Sequence, residues 1–105
     1  MAKFDYDNVS DSLFVSVKKE NERVEGSAEV GDIIFDFTKE GKIVNIEIRE
    51  ISTYLSNIQI LDKLTEVDLK ITVKGNSFVA FIILKAPNME QKVPLVVPTT
   101  RPILA

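Results

Sequence analysis

Alternation of apolar and polar residues runs through most of the chain, and it predicts strands with one buried face. Residues 3–7 put Phe4 and Tyr6 on one side, and residues 12–17 do the same with Leu13, Val15 and Val17. Residues 27–30 and 33–37 read as extended segments bent or interrupted at Gly31-Asp32. After Thr38-Lys39-Glu40-Gly41-Lys42, residues 43–49 return with Val44, Ile46 and Ile48 on one face and Asn45 and Glu47 on the other. Gly41 suits the left-handed backbone of a hairpin turn, which disfavours a side chain. In residues 67–73, Val67, Leu69, Ile71 and Val73 give the cleanest alternation and predict one buried face. Residues 77–85 are apolar on both faces, as in a strand covered twice. In so short a chain the second cover has to be a helix, another sheet or another subunit. Residues 91–97 form a last strand, which Pro94 marks as an edge or bulged one.

Only one stretch changes period. Ile51, Tyr54, Leu55, Ile58 and Leu61 recur at three and four, so a short amphipathic helix is expected around residues 51–61, with Ser52 at its cap and Tyr54 on its buried stripe. The fold expected is mainly β (α+β). It is an antiparallel arrangement of hairpins and meander with six to seven strands and that one helix. The tail from Pro94 has prolines at 94, 98 and 102. It is too apolar for a solvated segment, and Val96, Val97, Ile103 and Leu104 are expected to pack on the domain or on a neighbouring chain.

At 105 residues the chain suits a single domain, 1–105. The longest apolar run, Phe78 to Leu84, is far short of the roughly 20 residues that cross a bilayer. No signal-like apolar stretch opens the chain, so a cytoplasmic location is expected. A net charge of −3 argues against a nucleic-acid binder, and the one basic pair, Lys18-Lys19, runs straight into Glu20 and Glu22. The chain has no histidine, cysteine or tryptophan. That removes disulfides, thiolate nucleophiles, sulfur-type zinc sites and the commonest general base. Catalysis would fall to carboxylates, lysine, tyrosine or hydroxyls, so a non-enzyme with no cofactor is expected.

The acidic residues supply the metal candidates, Asp5, Asp7, Asp11, Asp36 and Glu47. The stretch 5–11 fails as a calcium loop, with Val9, Ser10 and Ser16 at its fifth, sixth and twelfth positions. Asp7 and Asp11 are expected instead to fix a turn by accepting from backbone amides. Asp36 and Glu47 lie on facing strands, where a close pair could hold Mg²⁺ or do acid–base work. Strand parity places Glu47 on a solvated face, as it does Glu25 and Glu29. The aromatic residues Tyr6, Phe14, Phe35, Phe37, Phe78 and Phe81 are expected in the core, since no basic residues interleave with them to stack bases.

Three blocks in order carry a family resemblance: Tyr6-Asp7 with Asp11 and Leu13-Phe14-Val15; Ser27-Ala28-Glu29-Val30 running into Ile33-Ile34-Phe35-Asp36-Phe37; and Gly41-Lys42-Ile43-Val44-Asn45-Ile46-Glu47-Ile48. Together they resemble the prokaryotic domain of unknown function family 2283 over about residues 4–55. Asn45 replaces a glycine of that pattern, and Thr38 stands where a second acidic residue often follows the aromatic. Residues 65–105 are a β-rich extension outside it. The resemblance implies a compact β-rich module, often a stand-alone small protein, with no catalytic residues to carry over. It also implies, through genes that can neighbour toxin-like proteins, an antitoxin-like role. Three functions follow: a non-enzymatic, self-assembling or protein-binding module, expected as a homo-oligomer; a carboxylate-dependent metal binder or hydrolase; and an acidic, antitoxin-like partner of a basic protein.

Overall fold

The computed structural model describes residues 2–98. Among them β1 (Lys3–Asp7) and β2 (Ser12–Ser16) make a hairpin. β3 (Gly26–Val30), β4 (Ile33–Phe37) and β5 (Ile43–Arg49) make a meander. The two units join where β2 pairs with β5, giving the antiparallel order β1-β2-β5-β4-β3. The β2–β3 connection therefore passes the ends of β5 and β4, a Greek-key path. β6 (Glu66–Lys74), β7 (Ser77–Ala86) and β8 (Met89–Pro98) form a second antiparallel sheet in sequence order.

The mainly β expectation holds, with eight strands among the described residues against the about six to seven expected. The bend at Gly31-Asp32 is a full reversal that separates β3 from β4, with Gly31 at φ 58°. At the next turn Gly41 adopts φ 87°. Thr38 is buried there, and its hydroxyl accepts from the Lys42 N–H at 3.2 Å.

The sheets pack face to face over one apolar core. Leu13, Val15, Ile33, Phe35, Ile46 and Ile48 come from the five-stranded sheet. Phe78, Ala80, Ile82 and Leu84 of β7, with Val93, Leu95 and Val97 of β8, meet them. Phe35 and Phe78 touch edge to face across the layers, with centroids 4.9 Å apart. Such a pair adds about 0.5–1.5 kcal/mol beyond the area it buries.

The expected helix is replaced by two 3-10 turns, Ile51–Tyr54 and Ile58–Lys63. Between them Leu55 and Asn57 are extended, so no continuous stripe forms. A segment this short gains little as an isolated helix, and side chains elsewhere take up its polar groups. The Gln91 carbonyl on β8 accepts from the Ser56 N–H and hydroxyl at 3.1 Å each, and its amide donates to Asn57 O at 2.7 Å. The Asn57 side-chain Oδ1 accepts from the Gln59 N–H at 3.0 Å, capping the second turn. Ile51, Ile60 and Leu61 are buried, while Tyr54 and Ile58 are exposed. Ser52 is not the cap; Glu50 holds that position at φ 56° with no side-chain bond.

Two further expectations change. Phe14 and Phe81 lie on outward faces rather than in the core. On β6 only Val67 of the apolar column is fully buried; Leu69 and Ile71 are half-buried and Val73 is 47% exposed. The expected packing of Val97 is seen, Val96 points outward, and Ile103 and Leu104 lie outside the described residues.

Candidate functional site: the acidic positions and the two outer faces

The β1–β2 turn builds its own polar lock. Asp7 Oδ1 accepts from the Val9 N–H at 2.9 Å, a local turn bond. Asp11, in the left-handed region at φ 55°, reaches further. Its Oδ1 accepts from the Tyr6 hydroxyl at 2.9 Å. Its Oδ2 accepts from the Ser52 hydroxyl at 2.5 Å and the Ser52 N–H at 3.3 Å. The Asp11 carbonyl accepts from the Ile51 N–H at 3.0 Å. Asp11 thus ties the first hairpin to the chain beyond β5. Burial, and then the hydrogen bond and negative charge of Asp11, push the Tyr6 phenol up to about 12. Asp7 and Asp11 both accept from backbone amides as the turn reading requires, but Asp11 does so across the fold rather than within its turn.

The remaining acidic positions spread over the outer face of β1–β5. Pairing places Asp36 opposite Ser27 and Asn45, and Glu47 opposite Phe14 and Ile34. Asp36 and Glu47 are therefore diagonal neighbours, each facing a non-acidic residue. Asp36 Oδ1 accepts from the Ser27 hydroxyl at 2.5 Å, and Oδ2 from the Asn45 amide at 2.9 Å. Asn45 is buried, and its own Oδ1 has no partner among the described residues. Asp5 stands exposed opposite Phe14. Glu29 pairs with Arg49 at 2.5 Å, which raises the Arg49 guanidinium through that hydrogen bond and charge. Among the described residues no three acidic side chains form a group that could hold a metal ion. Of the five candidates, Asp7 accepts within its turn, Asp11 and Asp36 accept from other elements, and Asp5 and Glu47 each face a non-acidic residue.

The outer face of β6–β8 has a different character. Its central column is Val79, Phe81 and Ile83 of β7, flanked on β8 by Pro94 and Val96. None of these belongs to the core cluster or packs against it, and Val96 is 69% exposed. Lys92 lies over the Phe81 ring, 5.3 Å from its centre. On β6 the outward positions run from Glu66 and Asp68 at one end to Lys70 and Lys74 at the other. Lys85 closes the acidic end against Glu66 at 3.1 Å and Asp68 at 3.5 Å, and the Glu66 bond holds its ammonium above the usual lysine range. The apolar run over residues 77–85 pointed to a second covered face; what it could not reveal was that the two 3-10 turns lie on the inner side.

No helix among the described residues is long and apolar enough to cross a membrane. Residues 3–52 match the model of a family described as a protein of unknown function (DUF2283), which bears out the resemblance carried by the three blocks. The matched stretch takes in the whole five-stranded sheet and ends at Ser52, the residue Asp11 holds. No curated protein and no solved structure matches the chain.

Proposed function

We propose that the protein is a non-enzymatic interaction module that self-associates through the outer face of β6–β8. The observation that carries this reading is the apolar column Val79, Phe81 and Ile83, half-buried and outside the core, with the exposed Val96 beside it. Covering such a face yields roughly 25 cal/mol per Å² of apolar area. Charge supports a second copy as the cover. Two faces stacked with their β6 strands antiparallel bring the Glu66–Asp68 end of one over the Lys70–Lys74 end of the other, with Phe81 near the axis. A two-fold contact of this kind is self-complementary, as closed dimers require.

Sedimentation velocity at micromolar to tens of micromolar protein tests the reading. The expected result is a concentration-dependent dimer that Phe81→Lys with Val96→Lys converts to monomer, its circular dichroism retained. A wild-type chain that stays monomeric throughout, or a variant that sediments like the wild type, overturns it.

A further inference from the structure

A groove runs beside the inner column of β6. Leu69 and Ile71 continue the inner column of β6 half-buried and Val73 ends it exposed, and the three line a depression with Val17 and Ile43. This part holds about 420 Å³ and carries Lys19 and Lys42 on its rim. A second part, about 540 Å³, continues it towards Ala2 and is ringed by Lys3, Lys18, Lys19 and Lys70. The two share Val17, Lys19 and Leu69, so they form one continuous groove. Its floor from Asp68 to Val73 is five residue steps, about 17 Å at ~3.3 Å per residue.

The charges are unevenly placed. Five of the chain's ten lysines line this groove, although the protein as a whole carries −3. Lys42, at the apolar end, is neutralised by Glu22 at 2.8 Å. Lys3, Lys18, Lys19 and Lys70 make no ion pair among the described residues. Among the described residues Asp68 is the one carboxylate in the lining, and Lys85 already engages it. The groove is thus cationic at one end and aliphatic at the other. Each part has the volume of a small-molecule site, roughly 300–1,000 Å³.

We infer that this groove binds a single-headed anionic amphiphile, a free alkyl carboxylate of medium chain length. The carboxylate sits among Lys3, Lys18 and Lys19, and the alkyl chain lies along Leu69, Ile71 and Val73 towards Ile43. Charge-assisted bonds to exposed ammonium groups fix the head, and burial of methylenes holds the tail, each contributing about 0.8 kcal/mol when fully covered. This site is separate from the outer face of β7 and β8 and does not depend on self-association.

Sodium decanoate, kept below micelle-forming concentration, is the probe, followed by calorimetry and by amide chemical shifts. Saturable binding is expected, with shifts centred on residues 17–19, 41–43 and 69–73. Decan-1-ol, the neutral analogue, is expected to bind about tenfold or more weakly. Lys3→Glu with Lys18→Glu weakens decanoate binding by a similar factor, and Lys18→Glu alone by less. Val73→Asp weakens it from the apolar end. The Phe81→Lys variant, whatever its oligomeric state, binds decanoate like the wild type. Absence of saturable binding overturns the inference. So do shifts confined to β7 and β8, equal affinity for decanol, unchanged affinity in folded Lys18→Glu, or binding seen only with anionic lipid vesicles.

Discussion

On the outer face of β1–β5 the side chains are mostly polar and many are linked, Ser27 to Asp36 to Asn45 and Glu29 to Arg49. On the outer face of β6–β8 the central positions are Val79, Phe81 and Ile83, with Lys92 resting on a ring. Both sheets bury their inner faces in the same core, so the difference lies entirely in what each turns outward. A face whose polar groups are already satisfied gains little from further contact, whereas an apolar one is stabilised by whatever excludes water from it. Substitutions on the first should therefore change stability without changing association, and substitutions on the second the reverse.

The largest effect is expected where the comparison breaks down, in the shared core. Phe35→Ala removes the ring that meets Phe78 and should cost about 3–5 kcal/mol in denaturant melts, destabilising both sheets together. Asp11→Ala should cost about 2–3 kcal/mol, because the Tyr6 hydroxyl and the Ser52 N–H and hydroxyl all lose their acceptor. Asp36→Ala should cost about 1–2 kcal/mol by orphaning Ser27 and Asn45, with sedimentation unchanged. Phe14→Lys and Phe81→Lys form the sharpest pair. Each should move stability by no more than about 1 kcal/mol, but only the second should shift the sedimentation coefficient.

The smallest effect is alkaline. The fold holds the Tyr6 phenol at about 12, above its unfolded value of about 10, so it favours the protonated form. That contribution is whole below pH 10 and is lost as pH rises towards 12. Chemical melts at pH 9 and pH 11.5 should show the wild type losing stability that Tyr6→Phe, lacking the titrating group, does not lose.

Local pattern made much of this legible. The bounds of β1, β4 and β5 and the Gly41 turn follow from period two and one glycine, because a half-buried strand imposes that period on its own residues. The pairing of β2 with β5 was not legible, since alternation says which face is buried and not which strand lies beside it. The stripe from Ile51 to Leu61 misled because its polar partners, Asp11 in the β1–β2 turn and Gln91 on β8, are distant in sequence and outcompete a short helix. Alternation in β6 correctly gave one apolar face. It could not show that this face is half-buried at Leu69 and Ile71 and exposed at Val73, which depends on what distant elements cover. Among the acidic residues, Asp7 was readable from its neighbours; the reach of Asp11 to Ser52 was not.

The junction of β2 with β5 also sets an order of events during synthesis. A chain emerging from its amino end can close the first hairpin early, yet that hairpin stays unpartnered along β2 until residue 49 is free of the ribosome. Ser52 then arrives three residues later to latch onto Asp11. Half of the polypeptide must thus be exposed before the five-stranded sheet can assemble. Such sequence-distant pairing slows folding and leaves the greasy edge of the nascent hairpin open to misassociation in the interval.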